Sequence, residues 1–270
     1  MKSSIETRLS DRMLAVAGMV GSCGLSVMKE KNTFSVADIG CDHAFISIYL
    51  VEKGIADRVI AMDVNEGPLL SAGENIRKYG LADRIVTRLS NGFEKLLPGE
   101  TDAAVIAGMG GYLILDILKN AACLTKGYKL VLSPQSDLFE VRKYLVKNSF
   151  FIRDEELIKD SGKYYNIIYA EFMGEDDMAA GTDEVDIKSD LLRLKYGGCL
   201  IDKKHPVLME YLSLRVEAVK KIISEMDKKG SSDGAKKRRS EIEEELHELT
   251  ELLKVMGTES WSYTGQKAGG

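Results

Sequence analysis

From Phe34 to Phe172 short apolar, β-rich runs alternate with stretches of helical periodicity, which predicts an α/β fold built on a doubly wound parallel sheet. Seven strands are expected, over residues 34–39, 58–62, 84–88, 103–107, 129–133, 150–154 and 164–171. Helices are expected over 44–53, 66–79, 111–122 and 137–147. The second of these is well marked, with Asn65 as cap, Pro68 in the first turn and Gly80 at the end. Residues 5–20 read as an amphipathic leading helix with Arg8, Asp11 and Arg12 on its polar side. The last two strands are joined by a short polar loop, so they form a hairpin and not a crossover. Residues 174–190 are acidic and small and predict a linker between a first domain, 1–173, and a helical one, 191–257. In that second domain Leu212, Val216, Val219, Ile223 and Met226 recur at 4-3-4-3 spacing, as do Ile242, Leu246, Leu249, Leu253 and Met256. Two such helices on either side of Lys-Lys-Gly-Ser-Ser-Asp-Gly predict an antiparallel coiled-coil hairpin, followed by a loose tail, 258–270.

At 270 residues the chain has room for one full α/β core and a smaller appendage. Cys23, Cys41, Cys123 and Cys199 lie far apart, with no paired spacing that would suggest a disulfide framework or a zinc site, and no metal is expected. The longest apolar stretch, Met13 to Val20, is short and broken by glycine, so neither a signal segment nor a membrane span is expected and a cytoplasmic place is. The net charge of −5 conceals an uneven distribution. Residues 193–239 carry 13 Lys and Arg against 6 Asp and Glu, and the remainder 24 against 36. A basic appendage on an acidic body suits a polyanionic partner as well as it suits a solvated helical surface.

The chemistry should sit just after the carboxyl ends of the central strands. Gly40, Cys41, Asp42 and His43 follow the first strand, Asp63, Val64 and Asn65 the second, and Ser90, Asn91 and Gly92 the third. Asp63 stands where a carboxylate accepts both hydroxyls of a ribose. A dinucleotide's pyrophosphate needs two or three glycines in the first turn, and here Gly40 stands beside Asp42 and His43. A carboxylate at that turn repels pyrophosphate and suits the amino group and sulfonium of S-adenosylmethionine, which favours a methyltransferase over a nicotinamide dehydrogenase. Asn91 is placed to meet an adenine edge, with Gly92 leaving room for the ring. The fourth strand runs into Gly108, Met109, Gly110 and Gly111, where bare backbone invites something flat, and the fifth ends in Ser133-Pro134-Gln135. The Asn/Asp-Pro-Pro-aromatic motif of amino-methyltransferases is absent from these positions.

Five parallel strands ending in an antiparallel hairpin resemble the class I, Rossmann-like sheet of S-adenosylmethionine-dependent methyltransferases. More specifically, LSDRMLAVAGMV from Leu9, ADIGCDHAFISIYL from Ala37, AMDVNEGPLLSA from Ala61, RLSNGFE from Arg88, AGMGGYLILDIL from Ala107 and KYYNIIYAE from Lys163 resemble the TrmK family of bacterial tRNA adenine-22 N(1)-methyltransferases. The chain departs from the family's usual pattern at Cys41, where serine is common, and at Ser133-Pro134-Gln135, where Gln-Pro-Asn is. The resemblance implies methyl transfer from S-adenosylmethionine to tRNA, with S-adenosylhomocysteine as product; separately, a monomer is expected over a dimer. It implies cofactor contacts from Asp38, Gly40, His43, Asp63, Val64, Asn91, Gly92, Gly108 and Met109. Substrate contacts fall to Arg12, Gly110, Ser133 and Gln135 and, for the RNA phosphates, to Lys236, Lys237, Arg238 and Arg239. Asp42 and Asp11 are the candidates for stabilising the cationic product ring. Methylation of another small molecule or of a protein, or silent binding of S-adenosylmethionine and RNA, are the alternative readings.

Overall fold

A computed structural model describes residues 5–174, 187–227 and 233–257. Seven strands, β1 (Ser35–Ile39), β2 (Arg58–Asp63), β3 (Ile85–Leu89), β4 (Ala103–Ala107), β5 (Lys129–Ser133), β6 (Phe150–Asp160) and β7 (Lys163–Phe172), make one sheet in the order β3-β2-β1-β4-β5-β7-β6. The first five are parallel, and β7 runs antiparallel to both β5 and β6. The sheet order therefore reverses between β1 and β4, which places a ligand crevice at their carboxyl ends.

The central strands are apolar on both faces because both faces are covered. Val36 points into a core shared with α1 (Asp11–Lys31), α2 (Phe45–Glu52) and α3 (Glu66–Tyr79), whereas Ala37 points into a core shared with α4 (Gly111–Lys119) and α5 (Leu138–Lys147). Ser10 caps α1 by accepting from the Met13 amide at 3.4 Å, so the expected leading helix divides into a 3-10 turn, Ile5–Arg8, and a helix that starts at the cap. That helix also runs on well beyond Val20, to a left-handed cap at Asn32. It lies close to the sheet at Gly24, where a β-carbon would meet the Phe34 ring at 2.8 Å. By length and composition α1 is apolar enough to cross a bilayer; here Val16, Ala17, Val20, Cys23 and Val27 are buried in the core on one sheet face.

The hairpin differs from its expected form. β6 extends past Asp154 to Asp160, and a two-residue turn at Ser161 and Gly162, both with positive φ, replaces the polar loop. The reason is Glu155, which reads as a loop residue and is fully buried, its Oε1 accepting from Arg142 Nε at 2.6 Å. Arg142 also donates to the Leu194 and Lys195 carbonyls, and the Cys199 amide donates to Glu155 at 3.0 Å. This network ties the end of α6 (Ile187–Tyr196) and the start of α7 (Gly198–Asp202) to the hairpin.

The chain divides into compact units at Cys199/Leu200, C-terminal to the expected 174–190 linker, of which residues 175–186 lie outside the described residues, as does the tail 258–270. The second unit holds α8 (Pro206–Asp227) and α9 (Asp233–Gly257). These pack together with Leu212, Val216, Val219, Ile242, Leu249 and Met256 buried. Leu252 is buried where Leu253 was expected to be. Arg215 and Glu245, equally far from the helix ends that face the connecting turn, pair at 2.6 Å, so the two helices run in opposite directions.

Candidate active site

The first turn after β1 is built for close approach. Gly40 and Cys41 both donate their amides to the Met62 carbonyl, at 2.8 and 3.0 Å, and Gly40 holds φ at +74°, a conformation that favours glycine. A β-carbon there would lie 2.7 Å from Met109 Cε, so the first and fourth strand ends close on each other over this bare backbone. Asp42 and Ala44 also take positive φ, which turns the Asp42 side chain outward, 73% exposed, with Oδ1 3.7 Å from His43 Nε2. The His43 carbonyl is held by Asn75 Nδ2 at 3.1 Å, and its ring lies against Phe45.

Asp38 is placed beneath this turn, not in it. Its carboxylate is buried and accepts from Ser47 Oγ at 2.6 Å, tying β1 to α2. Burial pushes its pKa up to about 6, against the lowering effect of Ser47, with Asp63 adding to the rise. Asp63 closes β2 half-exposed, one oxygen accepting from the Asn65 amide at 2.9 Å, and Val64 beside it is 60% exposed. At the end of β3, Asn91 Nδ2 donates to Glu94 Oε1 at 2.8 Å, and Gly92 packs so closely on Ile117 that a β-carbon would meet it at 2.9 Å. Burial also raises the Cys41 thiol far above its ordinary range, which makes it a packing group and not a nucleophile.

Across β1 from these residues lies a second cluster. Gly108, at φ +83°, and Met109 turn the chain toward Gly110, which opens α4, and the Gln135 amide donates to the Met109 carbonyl at 3.0 Å. The Gln135 side chain is exposed, whereas Ser133 Oγ is buried without a hydrogen-bond partner. Arg12 arrives from the first turn of α1, next to the exposed Asp11. Its guanidinium lies over the Tyr165 ring, 5.4 Å from the centroid, and Nη1 lies 3.6 Å from where a Gly108 β-carbon would be. That Nη1 is buried and makes no hydrogen bond. Asp160 fixes the same turn of α1 by accepting from the Arg12 amide at 3.3 Å, which holds its carboxyl below the usual carboxylate range.

Sequence reasoning missed Tyr165, Asp160 and Ser47, although Tyr165 stands in the Lys163–Glu171 segment that carries the family resemblance. Lys237 and Arg238 are exposed on α9 and Arg239 is partly so, while the Lys236 side chain lies outside the described residues. Arg238 and Arg239 pair with Glu241 and Glu243 along the helix, at 3.4 and 2.7 Å. Among the described residues no group of three His, Cys, Asp or Glu is placed to hold a metal ion. A recess of about 570 Å³ lined by Leu118, Leu124, Tyr144, Phe150 and Phe172 lies at the opposite ends of α4 and α5, away from these loops.

A bare, left-handed turn under a methionine, with a half-exposed carboxylate at the neighbouring strand end, is a cradle that fits the ribose and methionine moieties of a nucleoside sulfonium. Comparison with known proteins identifies the family. A model of the family described as TrmK, tRNA (adenine(22)-N(1))-methyltransferase, matches residues 36–251. The chain is 29% identical over 249 residues to the tRNA (adenine(22)-N(1))-methyltransferase of Bacillus subtilis, covering 92% of this chain and 98% of the relative. The crystal structure of the B. subtilis m1A22 tRNA methyltransferase TrmK is similar at 30% identity and TM-score 0.70, over 91% of this chain and 98% of that one. TrmK of M. capricolum in complex with S-adenosyl-homocysteine, at 25% identity and TM-score 0.70, covers 92% of this chain and is itself covered over 99%.

Proposed function

The chain belongs to the TrmK family of tRNA (adenine(22)-N(1))-methyltransferases, a class I methyltransferase fold that uses S-adenosylmethionine, and from that membership we propose how its own residues divide the reaction. The donor side is formed by the ends of β1, β2 and β3: Gly40 and His43 around the methionine moiety, Asp63 and Val64 at the ribose, Asn91 and Gly92 at the adenine. Asp38 acts through the fold, holding the turn that carries Gly40 by its bond to Ser47. The acceptor side is formed by Gly110, Ser133, Gln135 and Arg12, with Gly108 and Met109 between the two sides as donor contacts, Met109 lying against the turn at Gly40. The observation that carries this division is the close approach of Met109 to Gly40, which joins the two sides where the methyl group must cross.

The donor supplies an electrophilic methyl on sulfur. Ring nitrogen 1 of adenine already carries a lone pair in the ring plane, so no residue has to remove a proton first. These residues therefore work by positioning, which in well-oriented reactions supplies on the order of 10 kcal/mol of the barrier. That nitrogen is hidden in a paired or stacked base, so the nucleotide is turned out to reach the strand ends. The product ring is cationic, and Asp42 and Asp11, both exposed at this end of the sheet, are the carboxylates we assign to its stabilisation. Lys236, Lys237, Arg238 and Arg239 contact phosphates without reading sequence. Because tRNA is the substrate, we place the enzyme in the cytoplasm.

The direct test is transfer of labelled methyl from S-adenosylmethionine to unmodified bacterial tRNA, with nucleoside analysis of the product. We expect 1-methyladenosine, lost when adenine 22 is replaced. Label on a small molecule or protein instead, or donor binding with no transfer at all, would favour one of the alternative readings.

A further inference from the structure

The Arg12 guanidinium lies between an aromatic ring and a bare strand end. One wall is the Tyr165 ring, with the guanidinium carbon 5.4 Å from its centroid. The other is the bare backbone of Gly108, whose absent β-carbon would stand 3.6 Å from Arg12 Nη1. Tyr165 is brought there by strand register: β7 runs antiparallel to β5 with Ile168 opposite Leu132, so its first residues flank the carboxyl end of β5, where Ser133 stands. A planar cation stacked on an aromatic ring is favourable, yet this one keeps Nη1 away from water with no acceptor. Ser133 Oγ, at the neighbouring strand end, is likewise buried and unpartnered. Two orphaned polar groups beside a glycine-bare strand end mark a place where the free protein is not fully satisfied and a ligand would complete it.

The geometry points to this slot as the seat of the acceptor purine, with Tyr165 as the residue on which the ring stacks and the Arg12 guanidinium as its occupant in the absence of RNA. This assignment rests on the methyl-transfer reading above and adds to it a residue and an exchange. When the base enters, the guanidinium leaves the ring for the phosphate of the same nucleotide, gaining the acceptor that its buried Nη1 lacks, and Ser133 Oγ meets the polar edge of the base. The seat lies on the β4–β5–β7 side, across β4 from the turn at Gly40, so a stacked purine faces the donor from the side opposite its ribose.

The test uses the full-length protein, with wild-type methylation of tRNA as the reference that must hold for the reading above. In that background Tyr165→Ala lowers kcat/KM for tRNA about 10- to 100-fold, the usual worth of one base–aromatic stack, and leaves S-adenosylhomocysteine affinity unchanged. Tyr165→Phe restores most of that loss, because the ring is what the base needs. Removing the occupant has the opposite sign for a ligand without phosphate. With the donor site saturated by S-adenosylhomocysteine, Arg12→Ala binds free adenosine at least several-fold more tightly than wild type in a calorimetric titration, while its tRNA methylation falls. Equal adenosine affinity in wild type and Arg12→Ala overturns the exchange. Undiminished methylation by Tyr165→Ala, or equal losses for the Ala and Phe variants, overturns the seat while leaving the methyl-transfer reading in place.

Discussion

At the scale of single residues the sheet end separates groups that bind from groups that hold. Asp38 and Asp63 stand on neighbouring strands, but the first is buried against Ser47 and the second is half-exposed at the strand end. Because burial raises the native pKa of Asp38 from 3.8 to about 6, the folded state holds that proton more tightly than the unfolded state. Its favourable contribution is complete below about pH 4 and is lost as pH rises through about 6. At about 1.4 kcal/mol per unit, that loss comes to about 3 kcal/mol. Denaturant titrations from pH 4 to 7 should therefore show wild type losing more stability across this window than Asp38→Asn, which keeps an acceptor for Ser47 and has nothing to titrate. Asp63 and Gly40 were legible in the sequence because one strand, one turn and the next strand place them. The Arg12–Tyr165 stack was not, since its partners are far apart in the chain and meet only through the register of β5 with β7.

At the scale of elements, the parallel strands and the helices between them were legible because each is bounded by its own polar or glycine signals. Two errors share one cause. Reading Glu155 and Glu156 as a loop, and placing the domain boundary before residue 191, both follow from treating charge as a mark of the surface. Arg142 and Glu155 are each 1% exposed and satisfy one another together with Asn166, two carbonyls and an amide. Removing one member leaves a buried charge without its partner, which costs about 3–5 kcal/mol. Arg142→Met and Glu155→Gln should each destabilise on that scale in urea unfolding. The double variant should be less destabilised than the sum of the two, with a coupling energy of about 1–3 kcal/mol.

At the scale of the whole molecule the uneven charge bears on the proposed contact between α9 and the tRNA phosphates. The exposed ion pairs of Arg238 and Arg239 with Glu241 and Glu243 are worth about 1 kcal/mol or less each, so a phosphate competes for those guanidinium groups at small cost. Lys237 is exposed on the same helix. Each of Lys237→Ala, Arg238→Ala and Arg239→Ala should make the dependence of log affinity on log salt shallower by about 0.9, with little effect on S-adenosylmethionine binding. Slopes identical to wild type would move the phosphate contacts off α9. The paired, oppositely running helices were legible in the spacing of their apolar residues; which leucine turns inward near the end of α9 was not, because Leu252 and Leu253 sit on adjacent positions of one stripe.

The first turn of α1 is fastened to the hairpin tip by the bond from the Arg12 amide to Asp160 and by the Arg12 guanidinium over the Tyr165 ring. In the proposed division the donor side is assembled from one continuous stretch of chain, whereas the acceptor side depends on that fastening between segments from opposite ends of the domain. Helix ends fray before cores melt. On warming, the enzyme should accordingly pass through an interval in which it still loads its methyl donor but has nowhere to set down the base, so that heat silences transfer before it empties the donor site.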